Sequence, residues 1–252
     1  MRPVTTASPT SPDLPDLESY GAVLFDLDGV LTPTAEVHMR AWARMFSSFL
    51  ETQEGQRPYA EQDYFDYVDG KPRYDGVRSF LTSRGIDLPE GSPDDPPDAE
   101  TVCGLGNRKN VEFSRVLESD GVQAYPGSVR LLDRLGAAGV PMAVVSSSRN
   151  ARPVLRAAGL LDRFPVIVDG TVSAERQLAG KPAPDAFAAA AADLGVPVDR
   201  AVVVEDALSG VAAGRAGGFG LVVGVDRGAG AARLRESGAD IVVVDLGELV
   251  SE

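Results

Sequence analysis

The chain has 252 residues, 44% of them hydrophobic and 24% charged, with a formal net charge of −13. That length can bury one large core or two smaller ones, and the negative charge argues against nucleic acid or an anionic membrane surface as a partner. A single cysteine, Cys103, excludes an intrachain disulfide and fits a reducing cytoplasm, and no apolar run is long enough to span a bilayer.

Residues 1–19, rich in Pro, Ser and Thr and without the apolar stretch of a signal peptide, are expected to form a disordered leader. Ala22–Asp26 then reads as a buried strand, its apolar run ending in Asp26-Leu27-Asp28-Gly29. Alternation along a strand sends Asp26 and Asp28 to one side, and parallel strands open at their ends onto a ligand-binding crevice. Two carboxylates there suit Mg²⁺, and one could attack as a nucleophile. The same residues would also make an ordinary acidic turn.

After Asp28 the period changes. Val37, Ala41, Trp42, Met45, Phe46 and Phe49 recur at three- and four-residue spacing, which predicts an amphipathic helix. Further helices are expected over Tyr74–Arg84 and Val102–Leu117, with the proline-rich loop Pro89–Pro97 between them. Residues 35–120 thus read as a helical insertion, enlarged by that loop and by the long segment Thr52–Tyr64.

From Tyr125 onward, short β-branched runs alternate with alanine-rich stretches. Strands are expected at Met142–Val145, Val166–Val168, Ala201–Val204, Leu221–Val225 and Ile241–Val244, separated by helices. That alternation predicts a parallel sheet covered on both faces. The fold class is α/β, with a core of 20–34 and 121–252 and the insertion placed directly after the first strand.

Three later strand ends carry polar chemistry. Ser146-Ser147-Ser148-Arg149-Asn150 follows one strand, where helix N-terminal amides suit phosphate; a serine-rich turn is the plain alternative. Lys181 sits in the turn Gly180-Lys181-Pro182-Ala183-Pro184-Asp185, and Glu205-Asp206 ends a buried strand. Only three lysines, Lys71, Lys109 and Lys181, stand against 21 arginines. A lysine kept in such a chain can mark a need for a compact, rotatable point charge. Two carboxylate pairs, a hydroxyl and a lysine at neighbouring strand ends suit metal-assisted phosphoryl transfer.

In that order, Asp26-Leu27-Asp28-Gly29, Ser146, Lys181 and Glu205-Asp206 resemble the four motifs of the haloacid dehalogenase superfamily of phosphotransferases. The resemblance implies a Rossmann-like core with a mobile cap inserted after the first motif. It implies that Asp26 attacks phosphorus to form an aspartyl-phosphate and that Asp28 is the general acid and base. Asp26, the Asp28 backbone carbonyl and Asp206 would hold Mg²⁺, with Glu205 assisting, while Ser146 and Lys181 hold the phosphoryl group.

Thr34-Ala35-Glu36-Val37-His38-Met39-Arg40-Ala41-Trp42 is similar to the start of the cap in β-phosphoglucomutases, as are the Ser146 and Lys181 segments to their counterparts. This narrower resemblance implies that Lys109 reaches the general acid/base, that Arg73 takes a distal phosphate with Ser148, Arg149 and Asn150, and that His38 sits at the hinge. With Trp42, these are the expected substrate-binding residues. Pro33, where mutases usually carry an acid, and Ala207, where a hydroxyl is common, depart from the pattern. The implied reaction is a sugar-phosphate mutase, with a phosphatase acting on a small phosphomonoester as the alternative. A small phosphorylated sugar is the expected partner of a monomeric, cytoplasmic enzyme.

Overall fold

Six short strands form one parallel sheet: β1 (Ala22–Phe25), β2 (Met142–Val145), β3 (Val166–Val168), β4 (Ala201–Glu205), β5 (Leu221–Val225) and β6 (Ile241–Val243). Their spatial order is β3-β2-β1-β4-β5-β6, the strand order of a Rossmann-like sheet. The structure, a computed structural model, describes residues 14–250. Every expected strand is present to within a residue, because near-continuous apolar runs can be buried only between two helical layers. β1 lies between β2 and β4, with Phe25 opposite Val144 on one side and Val204 on the other. The ends of these three strands therefore bring Asp26, Ser146 and Glu205 side by side.

The insertion that follows β1 makes four helices, α1 (Thr34–Leu50), α2 (Glu61–Tyr67), α3 (Arg73–Ser83) and α4 (Val102–Asp120). They enclose an apolar cluster of their own, in which Trp42, Met45, Phe46 and Phe49 of α1 meet Val77 and Phe80 of α3 and Leu105 of α4. Phe46 and Phe80 are in ring contact, with centroids 3.8 Å apart. α4 starts where Thr101 Oγ1 accepts a hydrogen bond from Gly104 N at 2.9 Å, a side-chain N-cap.

The sheet is covered on both faces. α5 (Pro126–Ala137) and α6 (Ala151–Ala157) set Leu131, Leu132, Leu135 and Leu155 against Val23, Phe25, Val144 and Val204. Beyond a short α7 (Gly170–Glu175), α8 (Asp185–Asp193) and α9 (Leu208–Ala216) set Phe187, Ala190 and Ala213 against the alternate residues Ala22, Leu24, Val145 and Val203. α10 (Ala231–Ser237) closes the edge near β5 and β6.

Two expectations need correction. The disordered leader does not reach residue 19: Leu17–Ser19 form a 3-10 turn capped by Asp16, and Leu17, only 3% exposed, packs into the core. The rest of that expectation, residues 1–13, lies outside the described residues. The Thr52–Tyr64 segment also leads into α2, whose pattern is masked by a buried acid. Asp63 is held by Arg57 at 2.5 and 3.1 Å, by Arg84 at 2.7 Å and by Ala60 N at 2.9 Å. A carboxylate can be buried at that point only because these partners satisfy it.

Candidate active site

The strand ends and the inserted helices meet across a cleft lined by Asp26, Asp28, Ser146 and Asp206 from one side and by His38, Arg73 and Lys109 from the other. β1 itself ends at Phe25, so strand alternation does not carry Asp28 into the cleft. A turn does that work: Gly29 adopts φ +88° and its N–H donates to Thr32 O at 2.7 Å. A Cβ on Gly29 would stand 1.9 Å from Asp206 Oδ2. The first motif and the last are therefore in direct contact, and only glycine permits it.

Lys181 is the hub of the core side. Its Nζ donates to Asp26 Oδ1 and to Glu205 Oε1, both at 2.6 Å, and to Val145 O at 3.3 Å. Burial works against its charge, but Asp26 and Glu205 outweigh this and raise its pKa, so the ammonium stays protonated. The second oxygen of Glu205 accepts from Ala207 N at 2.7 Å. Glu205 is fully buried with both oxygens engaged, which makes it the holder of Lys181 rather than a free metal ligand. Burial pushes the Asp206 carboxyl well up, as do Glu205, Asp69 and Asp26 around it, with Lys181 alone opposing.

Asp28 behaves differently. Burial would raise its pKa, but His38 and Thr34 bring it down to about 2, leaving it ionised. Thr34 Oγ1 donates to Asp28 Oδ1, and Ser146 Oγ lies 3.4 Å from Oδ2. His38 Nε2 is 3.3 Å from Asp28 Oδ1, close enough for attraction but not aligned for a hydrogen bond. Lys109 Nζ contacts His38 Nδ1, and the imidazole stacks on Phe113 with centroids 4.0 Å apart. Lys109 therefore reaches Asp28 through His38 rather than directly. Burial, with help from Arg73, lowers the Lys109 pKa to about 7.

A second polar cluster lines the same cleft. Arg73 Nη2 donates to Asn110 Oδ1 at 2.8 Å, and Asn150 Nδ2 donates to the same oxygen at 2.7 Å. Arg149 and Arg73 both lie near the Tyr74 ring, at 5.8 and 5.9 Å. Ser148 Oγ accepts from Asn150 N at 3.1 Å and so shapes the loop. Trp42 lines the cleft but is chiefly a wall, stacked on Phe46 with Lys109 Nζ 5.2 Å from its ring. Lys71 donates to Ser79 Oγ at 2.7 Å, a structural contact.

Every expected site residue lines this cleft, apart from Lys181, whose ammonium lies just behind Asp26. Sequence reasoning missed Asp69 and Tyr64, which also line it, and Arg227, whose Nε donates to Gly29 O at 2.9 Å. Asp69-Gly70 carries an ordinary turn signal and nothing more, and Arg227 is about two hundred positions from the turn it holds. Asn110 stood beside Lys109 and was readable only as its neighbour.

The donor set suits a hard divalent cation. Among the described residues no group of three or more acidic, His or Cys side chains is arranged to hold a metal. Mg²⁺ does not need one: it keeps several waters and takes one or two carboxylates plus substrate phosphate oxygens. Asp26 has one oxygen free of Lys181, and Asp206 is pressed among acids with Gly29 shaped to fit against it.

A family model described as a haloacid dehalogenase-like hydrolase matches residues 20–218. The chain is 56% identical over 243 residues to a β-phosphoglucomutase of Mycobacterium tuberculosis, covering 92% of each. It is 31% identical over 226 residues to hexitol phosphatase A of Escherichia coli, covering 90% of this chain and 91% of that one. A solved β-phosphoglucomutase from Clostridium difficile superposes with a TM-score of 0.74 at 24% identity, over 92% of this chain and 93% of that one, a likeness of fold.

Proposed function

The chain belongs to the haloacid dehalogenase-like hydrolases and is a phosphotransferase of the phosphoglucomutase type; on that premise we propose that it interconverts β-glucose 1-phosphate and glucose 6-phosphate through an aspartyl-phosphate and a bisphosphate intermediate. The observation that carries this reading is the second polar cluster: Arg73, Asn150 and Arg149 line the same cleft as Asp26, with Asn110 Oδ1 bridging the first two. A bisphosphate must bind in two orientations, so a mutase needs a second phosphate site, whereas simple hydrolysis does not.

In this reading Asp26 attacks phosphorus while Lys181, fixed by Glu205, neutralises charge gathering on the phosphoryl oxygens. Asp28, ionised at rest, takes the proton of the sugar hydroxyl that attacks the phospho-aspartate and returns one to a leaving oxygen in the reverse step. Ser146 donates toward the same carboxylate. Asp26, Asp206 and the Asp28 carbonyl would hold Mg²⁺, which when bound supplies charge neutralisation for the transferring group. Residues 35–120 act as a cap over core residues 20–34 and 121–252. A small phosphosugar as sole partner, a monomeric state and a cytoplasmic site of action complete the proposal. In support, no described helix can cross a membrane, and Leu14, Val111 and Val244 are the exposed large apolar side chains among the described residues.

The phosphatase reading keeps the same core, with water discharging phospho-Asp26, and the likeness to hexitol phosphatase A favours it. Incubation with Mg²⁺, β-glucose 1-phosphate and a trace of glucose 1,6-bisphosphate separates the two. Glucose 6-phosphate without free phosphate is expected; free phosphate alone overturns the mutase. Arg73→Ala should cripple mutase turnover and largely spare hydrolysis of a small phosphate ester. Equal losses would remove Arg73 from the distal site.

A further inference from the structure

A short turn after α2 docks the cap against the core. Two successive carbonyl oxygens of that turn accept hydrogen bonds from core serines: Ser209 Oγ reaches Asp69 O at 3.1 Å, and Ser147 Oγ reaches Gly70 O at 2.8 Å. Gly70 has φ +70°, and a Cβ there would stand 2.1 Å from Ser209 Oγ and 3.1 Å from the Ala207 Cβ. Just beyond it, Pro72 lies so close that a Cβ on Gly180 would be 2.5 Å from its Cγ. The loop following β2, the first turn of α9 and the loop preceding α8 thus grip one cap turn.

Neither hydroxyl has a part in the chemistry described above. Each is nevertheless tied to it by the backbone, since Ser147 follows Ser146 and Ser209 lies three residues after Asp206. We propose that Ser147 and Ser209 form a latch that holds the cap closed over phospho-Asp26 and so decides whether a sugar hydroxyl or water receives the phosphoryl group. This rests on the mutase reading. In the productive step the bond from phosphorus to Asp26 breaks as a bond to the sugar oxygen forms, and the hydroxyl proton goes to Asp28. In the leak the same bond breaks under attack by water, whose proton goes to Asp28, and inorganic phosphate leaves. A cap that opens admits water, so two contacts remote from phosphorus control the partition. These serines are positioning residues.

The test uses the full chain, Ser147→Ala, Ser209→Ala and the double variant, with Mg²⁺, β-glucose 1-phosphate and a trace of glucose 1,6-bisphosphate. Each lost hydrogen bond should shift the closure equilibrium roughly two- to tenfold. The double variant should therefore release roughly four- to a hundredfold more free phosphate per glucose 6-phosphate formed. Ser→Thr at either position should restore the ratio by keeping the hydroxyl, whereas general damage would lower both products together. Small-angle scattering with Mg²⁺ and inorganic phosphate should give the double variant a larger radius of gyration. A folded double variant with unchanged radius overturns the latch, and a larger radius with an unchanged product ratio overturns its control of water. If the parent makes only free phosphate, the mutase reading falls, while the scattering comparison still decides the latch.

Discussion

Replacing Lys181 with methionine removes one cation and strands two carboxylates. The ammonium lies 2.6 Å from Asp26 Oδ1 and 2.6 Å from Glu205 Oε1, and Glu205 has no exposed surface. Breaking a buried ion pair from one side costs about 3–5 kcal/mol, because the remaining charge is left without a partner or water. In a chain of this size each kcal/mol corresponds to about 2–4 °C of melting temperature, so a fall of roughly 6–20 °C is expected. The raised lysine pKa sets the pH behaviour. Its stabilisation is fully present below the ordinary lysine value of about 10.4 and is lost only as pH rises through the higher folded value. The gap between parent and variant should therefore stay constant from about pH 6 to pH 9. Adding Glu205→Gln removes the stranded charge and keeps an acceptor for Ala207 N, so most of the lost stability should return. Phosphoryl transfer should not return, since Asp26 still lacks its cation. Circular-dichroism melting and a glucose 6-phosphate assay read the two effects. Melting of Lys181→Met within about 2 °C of the parent, or a deeper loss on adding Glu205→Gln, refutes the reasoning.

Two further outcomes concern the proposed cation site. Burial and the surrounding acids raise the Asp206 pKa, which couples cation uptake to proton release, and Mg²⁺ affinity should be higher at pH 8 than at pH 6. Calorimetry in two buffers of different ionisation enthalpy reads that proton, and equal affinity without proton release contradicts it. Gly29→Ala forces a side chain into a left-handed turn 1.9 Å from Asp206 Oδ2. Mg²⁺ affinity should fall roughly 10–100-fold, as for a displaced metal-site neighbour; parent-like affinity would mean that Asp206 does not bind the cation.

Much of the core is legible in the sequence because a parallel sheet leaves strong local marks. Apolar runs such as Met142–Val145 and Ala201–Val204 can be buried on both faces only as central strands, and polar residues collect where such runs stop. The scarcity of lysine was informative for Lys181 and Lys109, which are buried in the site, and uninformative for Lys71, whose ammonium serves Ser79. Pairwise placement is not written locally. Nothing in Glu205-Asp206 says which acid is consumed by Lys181 and which faces the cleft, since that depends on how a loop from another strand folds over them. The same is true of Lys109, which meets His38 first because α1 and α4 pack side by side. α2 stayed hidden for a different reason: its buried Asp63 is satisfied by Arg57 and Arg84, six and twenty-one positions away, and breaks the apolar pattern.

The chain leaves the sheet after β1 and comes back within one hydrogen bond of its departure: Tyr125 N donates to Leu31 O at 2.9 Å, and Ser128 Oγ donates to Val30 O at 2.7 Å. To the sheet, the whole excursion is a loop of almost zero span, stitched shut at its base. The entropic cost of lengthening such a loop grows only logarithmically. Evolution can therefore add or trim segments such as 89–97 in the excursion and change what the lid selects, while the spacing of the strand tips beneath it stays fixed.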